Sequence, residues 1–147
     1  PYLKGSYIAD VGTGPGLPGI PMAILFPGIQ FLLVDSNGKK TRFLTQCKIT
    51  LGLNNIEVLH GRVEAVPNEG QFDQVMSRAF TALDNMVKLC KHLLTTEGEF
   101  LAMKGQYPQE EIDSLPEDYS VKNSVKLCVP ACEEDRHLII IGKSAQQ

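Results

Sequence analysis

The stretch "DVGTGPGLPGI" (residues 10–20) places Gly12, Gly14, Gly16 and Gly19 within eight positions, with Pro15 and Pro18 among them. Glycine loses more backbone freedom on folding than any other residue, so a run this dense needs an offsetting role. Before it stands "YIADV" (7–11), a short apolar strand-like run. After it, "LPGIPMAILF" (17–26) has helix-like apolar spacing that ends at Pro27-Gly28. A glycine-rich turn from strand to helix lets a ligand approach the backbone, with helix-start amides aimed at it. In open parallel sheets such ligands lie beyond the carboxyl ends of the strands. The stretch predicts a nucleotide-like cofactor at this turn; a purely structural turn is the alternative.

The same alternation continues outward. "QFLLVD" (30–35) is an apolar run closed by an acid. "SNGKKTRFLTQCKITLGL" (36–53) carries Phe43, Leu44, Cys47 and Leu51 at helical spacing, with Ser36 as candidate N-cap. "IEVLH" (56–60) and "FDQVMSR" (72–78) read as strands, and "LDNMVKLCKHLL" (83–94) as an amphipathic helix. "GEFLAMKG" (98–105) reads as a strand after a glycine stop, and residues 106–120 as a loop with one helical turn. "VKNSVKLCVP" (121–130) and "RHLIIIG" (136–142) are the last two strands. Alternation implies a parallel sheet covered on both faces. The short "ACEED" connection leaves no room for a crossover helix, so the last two strands predict a hairpin with one antiparallel strand.

The chain has 147 residues and a net charge of -3, which fits one domain and argues mildly against a protein that lives on phosphate contacts alone. No apolar run reaches the ~20 residues of a membrane span. Cys47, Cys90, Cys128 and Cys132 form neither a disulfide framework nor a zinc pattern. They read as reduced thiols, the cytosol is the expected compartment, and no metal is expected. His60, His92 and His137 show no partner pattern, and His92 reads as structural. Lys39, Lys40, Arg42 and Lys48 scatter around their helix, which reads as solvated rather than as an RNA stripe.

The dinucleotide fingerprint is G-x-G-x-x-G. Leu17 stands where its third glycine would fall. That departure suits a cofactor without phosphate, such as S-adenosylmethionine, lying along Gly12, Gly14 and Gly16. Asp35 ends the second strand, 23 positions after Gly12, where a carboxylate can accept from ribose hydroxyls. Val63 and Glu64 follow the third strand and could offer an amide and a carboxylate to an adenine edge. Arg78 and Lys104 end the fourth and fifth strands, where either could hold a carboxylate or a phosphate.

"DVGTGPGLPGIP", "LVDSNGKKTRFL", "GRVE", "FDQVMSRAF", "MKGQ" and "VPACEEDRHLIII" together closely resemble the small-subunit (16S) ribosomal RNA guanine-N7 methyltransferase G family, also known as glucose-inhibited division protein B. The resemblance runs from about Ile8 to Lys143. It implies a Rossmann-like class I methyltransferase: a seven-stranded, mostly parallel sheet with a C-terminal antiparallel hairpin strand and helices on both faces. It implies S-adenosylmethionine as cofactor and 16S rRNA of the small subunit as partner; no membrane association and a monomeric state are separate expectations. Carried over residue by residue, cofactor contacts fall on Gly12, Leu17, Val63, Glu64 and Arg78, and Asp35 matches the acid after the second strand. Arg78 and Lys104 are the candidates for a direct role in catalysis. Family members carry a helical N-terminal extension, and this chain has six residues before its first strand, so residues 1–147 are expected to be the methyltransferase domain alone. Guanine N7 has a free lone pair and no proton at neutral pH, so transfer is expected without a general base. The competing readings are an NAD-dependent oxidoreductase, disfavoured by Leu17 and the closing hairpin, and a non-catalytic adenosine-binding module.

Overall fold

The computed structural model describes residues 7–12, 19–67, 70–78, 83–104, 108–127 and 136–144. Seven strands form one sheet: β1 (Tyr7–Val11), β2 (Gln30–Asp35), β3 (Ile56–His60), β4 (Phe72–Arg78), β5 (Leu94–Lys104), β6 (Tyr119–Leu127) and β7 (Arg136–Lys143). Their order is β3-β2-β1-β4-β5-β7-β6. The first five are mutually parallel, and β7 runs antiparallel to both β5 and β6. The helices are α1 (Gly19–Leu25), α2 (Gly38–Leu51), α3 (Leu83–Cys90) and α4 (Gln109–Asp113). This is the predicted sheet, hairpin included.

Successive residues of a strand point to opposite faces, and the two cores divide on that period. Ala9, Leu32, Val34, Val75, Ala102 and Ile141 pack with Leu83, Met86, Val87 and Cys90 of α3. Ile8, Leu33, Met76, Leu101 and Ile140 pack with Ile20 and Ala23 of α1 and Leu44 of α2. A sheet buried on both faces needs near-continuous apolar strands, which is why "QFLLVD" and "HLIII" do not alternate.

Four local expectations need correcting. The N-cap of α2 is Asn37, not Ser36: its Oδ1 accepts from the amides of Lys39 at 2.9 Å and Lys40 at 3.1 Å. The buried positions of α2 are Thr41 and Leu44, while Phe43 and Leu51 stand 54% and 52% exposed. Phe43 lies ~100° around the helix from Leu44 and so misses the sheet, and Leu51 is in the last turn. The helix from Leu83 ends at Cys90; a 3-10 turn covers Lys91–Leu93 and the strand already begins at Leu94. Gly98 therefore lies inside β5 rather than stopping a helix, and a Cβ there would come 3.2 Å from the Asp73 carbonyl oxygen, beside the irregular pairing of Phe72 and Gln74.

Candidate functional site

The sheet order changes direction between β1 and β4, and such a switch point opens a crevice at the carboxyl ends of the strands. Gly12 lies at that edge. Its φ of 65° is a left-handed conformation that side chains disfavour. Its amide donates to the Val34 carbonyl at 2.8 Å, so it ties β1 to β2. Gly19 has a different cause. A Cβ there would collide with Leu33 Cδ2 and stand 2.6 Å from Asp10 Oδ2. Gly14, Gly16 and Leu17 lie outside the described residues.

Asp10 explains the Gly19 contact. It is 1% exposed, on the α1 side of β1, and Oδ2 accepts the Gly19 amide at 2.9 Å. A carboxylate suits the unsatisfied amides and positive end of a helix start. Sequence reasoning gave Asp10 no role, although a buried acid in a strand otherwise apolar on that side was a usable signal.

One cleft gathers Gly12, Asp35, Val63 and Glu64, together with Val11, Val34, Ser36, Gly61, Arg62 and Leu89. Four of the sequence-derived candidates thus meet in one place. Asp35 is 9% exposed, and its Oδ1 accepts the Asn37 amide at 2.8 Å. The Gly61 amide donates to the Asp35 carbonyl at 3.0 Å and fixes the exit from β3. Val63 opens a 3-10 turn through Ala65; its side chain is buried in the core, and Glu64 is exposed. Amides at the start of such a turn have no partner within it. Beneath, burial first and the Glu64 charge second push the Cys90 thiol up to about 12. The sequence offers Ser36 only as a helix cap and gives Gly61, Arg62 and Leu89 no site role; Leu89 comes from α3, far along the chain, and no local pattern announces it.

His60 reaches back over the same edge, its Nε2 3.0 Å from the Ser36 carbonyl oxygen. The backbone of Arg78 ends β4 opposite Met103, and its side chain lies outside the described structure. Lys104 is engaged: its Nζ lies 2.9 Å from Glu111 Oε1. The sequence places Glu111 only within the 106–120 loop and gives it no role. Among the described residues, no group of three or more His, Cys, Asp or Glu is placed to hold a metal ion. Cys47 and Cys90 are free thiols, and Cys128 and Cys132 lie outside the described residues. No helix among the described residues is long and apolar enough to cross a membrane.

Solved structures share this fold. The crystal structure of TrmN from Thermus thermophilus matches 95% of this chain and 44% of its own, with a TM-score of 0.76 at 15% identity. A SAM dependent methyltransferase from Aquifex aeolicus matches 92% of this chain and 81% of its own, with a TM-score of 0.70 at 15% identity. Sequence relatives are much nearer. The Ribosomal RNA small subunit methyltransferase G of Marinobacter nauticus is 52% identical over 144 residues, which is 98% of this chain and 67% of that protein. Its Escherichia coli O1:K1 namesake is 53% identical over 141 residues, 96% of this chain and 68% of that protein. The profile of the family described as GidB, rRNA small subunit methyltransferase G, matches residues 1–139. The chain belongs to the rRNA small subunit methyltransferase G family.

Proposed function

We propose that the chain binds S-adenosylmethionine in the cleft at the ends of β1, β2 and β3 and methylates N7 of a guanine in small-subunit (16S) ribosomal RNA, in the cytoplasm. The observation that carries the cofactor assignment is the pair of carboxylates, Asp35 and Glu64, on one cleft behind the Gly12 turn. Asp35 accepts from ribose hydroxyls. The Val63–Glu64 turn offers an amide and a carboxylate to the acceptor and donor of the adenine edge. Dinucleotide sites share an acid at the Asp35 position; Glu64 on the same cleft adds a second negative charge, which suits a ligand with net positive charge. Gly14 and Gly16, from the spacing of the glycine loop, and Leu17 and Arg78, from the family resemblance, complete the proposed cofactor contacts. The bound cofactor supplies an electrophilic methyl group on a sulfonium.

The acceptor falls to the neighbouring ends of β4 and β5, which Arg78 and Lys104 close. Guanine N7 brings its own lone pair and gives up no proton, so no residue here has to act as a base. The task left to the chain is alignment, an effect worth several kcal/mol when the reacting atoms are held in line. The names of the sequence relatives support small-subunit rRNA as the acceptor. Titration calorimetry tests this reading against the nicotinamide one. One equivalent of S-adenosylmethionine should bind and NAD should give no heat of binding. Saturable NAD binding without binding of S-adenosylmethionine would overturn the assignment.

A further inference from the structure

The carboxylate of Glu111 joins two places the sequence keeps apart. Its Oε1 accepts the Leu83 amide at 3.0 Å and lies 2.9 Å from Lys104 Nζ. Leu83 opens α3, and its amide has no partner within the helix. Lys104 closes β5, which runs in register beside β4 as far as Arg78 and Met103. Two of the three groups are well sheltered, and the third sits on a segment that packs on the core. The Leu83 side chain is fully buried, the Lys104 side chain is only 11% exposed, and Ile112 and Leu115 beside Glu111 pack on the core. The Glu111 side chain itself is 32% exposed, but a carboxylate oxygen that serves one amide and a largely sheltered cation is a stronger tie than a fully exposed surface pair. Glu111, Leu83 and Lys104 are not among the residues of the cofactor cleft.

Resting on the proposed function, in which the ends of β4 and β5 face the acceptor, we infer that Glu111 is a positioning residue for the RNA acceptor. It holds the Lys104 ammonium and the first turn of α3 in one fixed relation at that end of the sheet. It touches neither cofactor nor the reacting atoms. Its loss should spare cofactor binding and slow transfer, because misplacing groups around an acceptor by ~1 Å can cost up to ~100-fold in rate.

The test compares the parent chain with Glu111→Ala, which removes both contacts, and Glu111→Gln, which keeps an acceptor for Leu83 and loses the charge. Three quantities are read: exchange of the Leu83 amide, S-adenosylmethionine affinity by calorimetry, and single-turnover methylation of small ribosomal subunits at saturating cofactor. In Glu111→Ala the Leu83 amide should exchange faster, the cofactor Kd should stay within about twofold, and the transfer rate should fall about tenfold or more. Glu111→Gln should lose less rate, again without losing cofactor; if the alanine variant does not fold, the glutamine variant decides by that pattern. A parental transfer rate in the variants overturns the inference. So does a parallel loss of cofactor affinity and rate, which marks a general structural role. A parent chain that binds no cofactor refutes the proposed function instead, and Leu83 exchange then judges Glu111 alone: unchanged protection in Glu111→Ala overturns its role.

Discussion

Two glycines of the same turn are glycine for unrelated reasons. Gly12 needs a left-handed backbone, while Gly19 leaves room for the Asp10 carboxylate and Leu33. Gly19→Ala should lower stability by about 1–3 kcal/mol, as overpacking does, and should show as a reduced thermal midpoint. An unchanged midpoint would mean that Asp10 can move away at no cost. Asp35 carries a prediction of the opposite kind, in binding rather than stability. Asp35→Ala should remove one or two charge-assisted hydrogen bonds of ~1.5–3 kcal/mol each and so weaken S-adenosylmethionine about tenfold or more. Asp35→Asn keeps an acceptor for the Asn37 amide, so a loss of affinity shared by both variants points to the ribose contact rather than to a damaged α2 start. Unchanged affinity in both would remove Asp35 from the site.

At the scale of elements, strands are easiest to read because burial on both faces makes the central ones near-continuous apolar runs with few polar positions. "YIADV", "QFLLVD", "IEVLH" and "FDQVMSR" match β1 to β4 residue for residue. Helix ends were harder. Cap choice turns on which of Ser36 and Asn37 reaches the free amides, and that is settled by backbone angles rather than residue type. The sequence carries the helix past its end because Leu93 and Leu94 keep the apolar spacing of Met86, Val87 and Cys90 while the chain turns through Lys91–Leu93 into β5. The site divides the same way. Gly12, Asp35, Val63 and Glu64 are legible because each stands at or just after a strand end in chain order, and parallel strands bring those ends together. Asp10 to Gly19 and Glu111 to Leu83 were not, since they depend on where packed helices place a carboxylate.

Across the whole molecule, packing and ionisation meet at Cys90. Burial, then the Glu64 charge, raises its thiol from 9.0 to about 12, and burial first also raises Tyr7 and Tyr119 above 10.0. A raised folded pKa means that the unfolded chain loses its proton first. The stability tied to Cys90 is complete below about pH 9 and is lost as pH climbs toward about 12, by at most ~1.4 kcal/mol per pH unit. Thermal midpoints between pH 9 and 11 should fall less steeply in Cys90→Ala than in the parent; equal slopes would contradict the linkage.

The sheet order ties these scales to activity, setting the acid-lined cleft on one side of the β1/β4 switch and the Glu111–Lys104 pair on the other. The most direct measurement is methyl transfer itself. Small ribosomal subunits lacking the modification are incubated with the chain and methyl-labelled S-adenosylmethionine, and the nucleosides of the recovered 16S rRNA are separated and identified by mass. The account predicts label in 7-methylguanosine. Cofactor binding with no label in the RNA, or label in another nucleoside, would contradict it.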